Sequence, residues 1–134
     1  MTITTKENHA LTNCVGQLET IKELYKDYKE AVSKDDDEAQ EKMTYKAEAE
    51  ALNVDFRSGW SCSPDDLGSP EEFKILLSTG GPACQIIGNL DLHHQPTDIE
   101  IQYQDWGTPW TTLYARGETY DALEWFCNCF YFGE

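Results

Sequence analysis

The segment Phe73–Ala115, FKILLSTGGPACQIIGNLDLHHQPTDIEIQYQDWGTPWTTLYA, alternates apolar and polar side chains in short bursts separated by turn formers. A two-residue period places successive side chains on opposite faces of a strand, so this stretch has to form a sheet with one apolar face, and other elements have to cover that face. Phe73–Ser78 carries the branched and aromatic residues of a half-buried strand. Thr79-Gly80-Gly81-Pro82 predicts a reversal, because the glycines accept positive φ and the proline removes a ladder donor. Its hairpin partner runs from Ala83 to Asp91, with Cys84, Ile86, Gly88 and Leu90 on one face and Gln85, Ile87, Asn89 and Asp91 on the other.

The polar connection Leu92-His93-His94-Gln95-Pro96-Thr97 delays the next strand to about Asp98, since proline is unsuited to a central strand. From Asp98 to Asp105 the alternation is regular, with Ile99, Ile101 and Tyr103 inward and the acids Asp98 and Glu100 outward. Trp106-Gly107-Thr108-Pro109-Trp110 predicts a turn, and Thr111–Ala115 a further strand. Its two tryptophans serve either as lids on the core or, beside Asp105, as anchors of a contact loop.

Ahead of the sheet, Leu11, Cys14, Leu18, Ile21, Tyr25, Tyr28 and Val32 recur at steps of three and four, the stripe of an amphipathic helix. Asp35, Asp36, Asp37 and Glu38 interrupt it and suit the start of a second helix, reaching Leu52 with a thin face of Met43 and alanines. Asn53–Trp60 alternates Val54 and Phe56 against polar neighbours, as a first strand would. Ser61–Glu72 is loop-like and contains Asp65 and Asp66. After the sheet, the stretch Glu118–Phe132 predicts a helix beginning near Thr119 and laid across it, burying Leu123, Phe126 or Cys127, and Phe130. The expected fold is α+β: an N-terminal helical hairpin, an antiparallel sheet of four to five strands and a C-terminal covering helix. All 134 residues form one domain, residues 1–52 being its helical part and 53–134 its sheet part.

Charge narrows function further. Formal net charge is −15; residues 1–52 hold seven basic and twelve acidic side chains (net −5), residues 53–134 three and thirteen (net −10). Such a surface repels phosphate and steers toward basic partners, which argues against direct nucleic-acid binding. No apolar run is long enough to cross a bilayer, and the first residues lack an export pattern, so a cytoplasmic location is expected. Five cysteines form no secreted framework. Cys127-x-Cys129 with His93-His94 contains soft ligands, but on a helix the two thiols point about 200° apart, so neither metal nor cofactor is expected. An enzyme would have to draw on Cys84, His93 or His94, and Asp105, which no spacing ties together.

Three runs, Leu77-Ser78-Thr79-Gly80-Gly81-Pro82-Ala83, Tyr103-Gln104-Asp105-Trp106-Gly107-Thr108-Pro109-Trp110-Thr111 and Phe130-Tyr131-Phe132-Gly133-Glu134, resemble a family of small proteins carried by phages and conjugative elements, over residues 54–134. That resemblance brings no catalytic residues. Proteins of this habit that are small and acidic resemble anti-defence inhibitors, anti-CRISPR proteins among them, several of which occupy basic nucleic-acid channels. It implies a non-enzymatic inhibitor that binds a basic, nucleic-acid-binding host defence protein, as a nucleic-acid mimic would. The expected contact residues are Asp35, Asp36, Asp37, Glu38, Asp65, Asp66, Asp98, Glu100, Asp105, Trp106 and Trp110. An immunity protein against a basic nuclease toxin and a small Cys/His enzyme are the alternatives, and the residues leave monomer and homodimer equally open.

Overall fold

Strand alternation and helical stripe meet in one layered arrangement. The computed structural model describes residues 5–57, 71–79, 82–105 and 109–130, the first five of these by their backbone alone. Within them the order is α1 (Thr5–Ser33), α2 (Asp37–Glu50), β1 (Asn53–Arg57), β2 (Glu72–Ser78), β3 (Ala83–Leu90), β4 (Pro96–Gln104), β5 (Thr111–Leu113) and α3 (Glu118–Cys127). The strands lie side by side in chain order as an antiparallel meander, β1-β2-β3-β4-β5. The expected α+β class, with its helical pair, sheet and covering helix, is what the chain adopts. The expected turns at Gly80-Gly81 and Trp106–Thr108, the end of the expected first strand at 58–60 and the expected loop from Ser61 as far as residue 70 lie outside the described residues.

Helices α1 and α3 cover one face. There Phe73, Ile75, Leu77, Cys84, Ile86, Ile99 and Ile101 meet Cys14, Leu18, Ile21 and Leu24 of α1 and Ala122, Leu123, Phe126 and Cys127 of α3 in a single buried cluster. α2 lies against α1 and adds Met43 and Ala47. The stripe of α1 differs from expectation at its ends: Leu11 and Val32 are exposed, while Ala10, Leu24 and Ala31 are buried. A helix touching a sheet, a second helix and a third one buries an arc wider than a single line, and small residues at the arc's ends allow close approach. Trp125 of α3 stacks in tilted geometry on both Tyr25 and Tyr28, with ring centroids 5.7 and 5.2 Å apart. These contacts clamp α3 along α1.

The four acids after α1 do what short polar side chains do at a helix start. Asp35 turns the chain at φ 54°, the side chain of Asp36 accepts from Ala39 N at 3.0 Å, and Asp37 and Glu38 occupy the first turn of α2. Several boundaries moved: α2 ends at Glu50 rather than Leu52 and β5 at Leu113 rather than Ala115. β4 begins at Pro96 rather than Asp98; β5 pairs only with Ile101–Tyr103, so the missing proline N–H faces no strand. α3 ends at Cys127, short of the expected Phe132, and Phe130 is only half-buried.

A bulge shapes the middle of the sheet. Pairing shifts between Ile87 and Asn89 so that Gly88 faces the pair Asp98-Ile99, with Asp98 at φ 51°. A Cβ on Gly88 would stand 2.6 Å from Phe73 Cε1 and 2.8 Å from the Thr97 carbonyl oxygen. Because one of those neighbours is backbone, Gly88→Ala is expected to lower stability by about 1–3 kcal/mol, as overpacking does. Urea unfolding with an unchanged m-value checks it.

Candidate interaction surface

The other face of the sheet carries no helix among the described residues, and the strand period decides what it presents. Cross-strand rows run Asp55, Lys74, Ile87, Glu100 and Arg57, Glu72, Asn89, with Asp98 in the adjoining bulge. Together with Gly88 and the edges of Phe56 and Phe73 they line a shallow trough of about 360 Å³. A second hollow adjoins it at Glu72 and Asn89 and continues over Glu71, Asp91, Leu92 and His94.

The acids here are positioned by neutral donors. Asn89 Nδ2 donates to Asp98 Oδ2 at 3.0 Å, and Thr112 Oγ1 donates to Glu100 Oε1 at 2.9 Å. Thr112 belongs to a polar ladder in which Gln85 Nε2 donates to Gln102 Oε1 at 2.8 Å and Gln102 Nε2 reaches Thr112 Oγ1 at 3.4 Å. Hydrogen bonds of this kind fix a carboxylate without cancelling its charge. Ion pairs among the described residues join Lys22 to Glu19, Lys34 to Glu30 and Arg57 to Glu72, and none includes Asp98 or Glu100. Arg57 Nε donates to Glu72 Oε1 at 2.6 Å, so of the two cations lining the trough one is already engaged.

The β3–β4 turn bounding this region is held from within. Asp91 Oδ1 accepts from His93 N at 2.8 Å and from Gln95 N at 2.9 Å, and Asp91 N donates back to Gln95 O at 3.0 Å. The backbone N–H groups of Gln95 and His93 keep the Asp91 carboxyl below the usual carboxylate range. At the apex Leu92 is 96% exposed, an apolar tip beside Asp91 and near Glu71 and Glu72.

Of the expected contact residues, Asp98 and Glu100 stand together on this open face, while Asp35, Asp36, Asp37 and Glu38 form a separate exposed group at the α1–α2 turn. Asp105, expected at a contact surface, is instead 5% exposed, so its carboxylate is not presented to a partner. Trp110 is half-buried; Asp65, Asp66 and Trp106 lie outside the described residues. Sequence reasoning did not bring Asp55, Glu71, Glu72 and Asp91 to the same surface, because strand register, which no local pattern announces, is what gathers them.

The candidate enzyme residues do not all converge: Asp105 lies two residues past Tyr103, at the same end of the sheet as Cys84, but the histidines do not. Cys84 pairs with Tyr103 at one end of β3, whereas His93 and His94 follow its other end, about 20 Å away by the rise of a strand. Cys84 is fully buried, and its hydrogen bond with Cys14, together with burial, pushes its thiol far up. Cys127 faces the core and Cys129 donates to Trp125 O at 3.4 Å; burial pushes the Cys129 thiol up to about 12. Among the described residues no three His, Cys, Asp or Glu side chains are grouped as metal ligands, and no helix is long and apolar enough to cross a membrane. Comparison with family models, with curated proteins and with solved structures finds no match to this chain.

Proposed function

We propose that this chain is a non-enzymatic acidic binding protein that docks the open face of its sheet on the basic surface of a nucleic-acid-binding protein and keeps nucleic acid off it. One observation carries the reading: Asp98 and Glu100 are held in place by Asn89 and Thr112, with no cation among their partners, on a face shared with Asp55, Glu72, the engaged Arg57 and Lys74. Carboxylates fixed on strands at cross-strand spacing offer a basic groove a regular array of acceptors without the loss of side-chain freedom that mobile surface acids would suffer. Leu92 adds an apolar contact at the rim. The resemblance to proteins of phages and conjugative elements makes a host defence effector of the anti-CRISPR target type the partner to seek, and a cytoplasmic location goes with it.

The test is competition. A tagged chain is used to capture protein from a host-cell lysate, and duplex DNA or RNA is then titrated over the complex. Nucleic acid is expected to displace the captured protein in proportion to its concentration. Retention that nucleic acid leaves untouched would show that the two do not share a surface.

A further inference from the structure

The two edges of the sheet differ in how they are protected. β5 has three residues, Thr111–Leu113, and follows Pro109 closely. β1 has five, Asn53–Arg57, with no proline and no bulge, its charges limited to Asp55 and the Glu72-paired Arg57, and among the described residues no strand lies beyond it in the sheet. Natural sheets blunt an edge of that kind by shortness, proline, lysine or a bulge, because its outer row of N–H and C=O groups is otherwise a template for another strand. β1 also leaves apolar surface open: Phe56 is 46% exposed and Leu52, directly before the strand, 60% exposed, while Val54 is half-buried against the core.

We propose that β1 pairs antiparallel with β1 of a second copy, across a two-fold axis at Val54, joining two five-stranded sheets into one. The strand's own sequence selects this occupant and register. With Val54 opposite Val54 of the other copy, Leu52 meets Phe56 twice, so each exposed apolar side chain covers the other. On the alternate face Asn53 meets Asp55, an amide opposite a carboxylate. A two-fold axis at Asp55 would set two aspartates directly opposite each other, which is destabilising. An isologous contact of this kind closes on itself at two copies, so it yields a dimer rather than a fibre. The inference stands on the edge strand and not on the function proposed above. Its consequence for that function is geometric, since Asp55 lies both on β1 and in the acidic trough, and pairing would bring two troughs side by side.

Sedimentation equilibrium of the full chain, from low micromolar to near-millimolar concentration, tests it. The mass is expected to rise from 15.3 kDa toward twice that value. Because each copy carries −15, added salt should strengthen the dimer, the opposite of its expected effect on a basic partner, so failure of one proposal is distinguishable from failure of the other. Phe56→Lys and Leu52→Lys, at positions exposed enough to leave the monomer folded, should each weaken association by about tenfold or more, whereas Tyr114→Lys at an exposed site away from β1 should not. Hydrogen exchange on the unmodified protein supplies a second readout: β1 amides should exchange more slowly at high than at low concentration. A mass that stays at one copy throughout, or a dimer indifferent to both β1 variants, overturns the proposal.

Discussion

A protein carrying both Asp98→Lys and Glu100→Lys is expected to stay folded and to lose affinity for the proposed basic partner by about 100-fold or more at physiological salt, because like charges set opposite each other across an interface cost several kcal/mol and each 1.4 kcal/mol is a factor of ten. Both side chains are exposed on β4 and each holds one hydrogen bond to a neutral donor, so reversal costs the fold little beyond about 1–2 kcal/mol for a lysine at the positive φ of position 98. Retained structure is checked by circular dichroism and binding by titration calorimetry on the captured partner. The paired control is Asp36→Asn with Asp37→Asn at the α1–α2 turn, which removes charge from the other acidic group while keeping a side-chain acceptor at the helix cap. If the open sheet face is the contact surface, the control changes affinity far less than the β4 pair.

Phe126→Ala carries the largest expected effect on stability, a loss of about 3–5 kcal/mol, the usual range for truncating a large core aromatic. Phe126 is fully buried on α3 beneath the sheet, and its ring stands edge-on to Phe130 at 5.3 Å. Ile101, Leu123 and Cys127, which belong to the same core cluster, are themselves fully buried, so they have little freedom to move into the gap. A loss of that size is a large share of the stability of a domain this small, and it should appear as a midpoint shift in urea unfolding with the slope preserved. Trp125→Ala, which removes the stacking on Tyr25 and Tyr28 at a half-buried position, should cost less than Phe126→Ala.

The elements legible in the sequence were those whose patterns are local. β2, β3 and β4 announced themselves by alternation, and the faces assigned to Cys84, Ile86 and Leu90 or to Ile99 and Ile101 are buried, although Gln85, assigned to the other face, is buried as well. The long stripe of α1 and the acidic start of α2 were equally plain. Where the reading slipped, the missing information was tertiary. Pro96 opens β4 because β5 is too short to need its N–H, and nothing near Pro96 encodes the length of β5. Leu24 and Ala31 are buried, and Leu11 and Val32 are not, because α1 touches partners on more than one side. The site followed the same division. Asp98 and Glu100 were readable as outward acids on a strand, but the row they share with Asp55, Lys74 and Ile87 exists only once three strand registers are set. Asp105 lay one residue beyond that strand, where alternation no longer dictates exposure, and it is buried.

In the proposed function, fixed carboxylates on the sheet face away from the helices supply the affinity for a basic partner. This is tested most directly by measuring how that affinity depends on salt. Exposed charges are screened over about 8 Å at physiological ionic strength, so the complex with the unmodified chain should weaken steadily as salt is raised from about 0.05 to 0.5 M. The Asp98→Lys, Glu100→Lys protein should show a flatter dependence on whatever affinity it retains. Equal affinity of the unmodified chain across the whole titration would contradict the account.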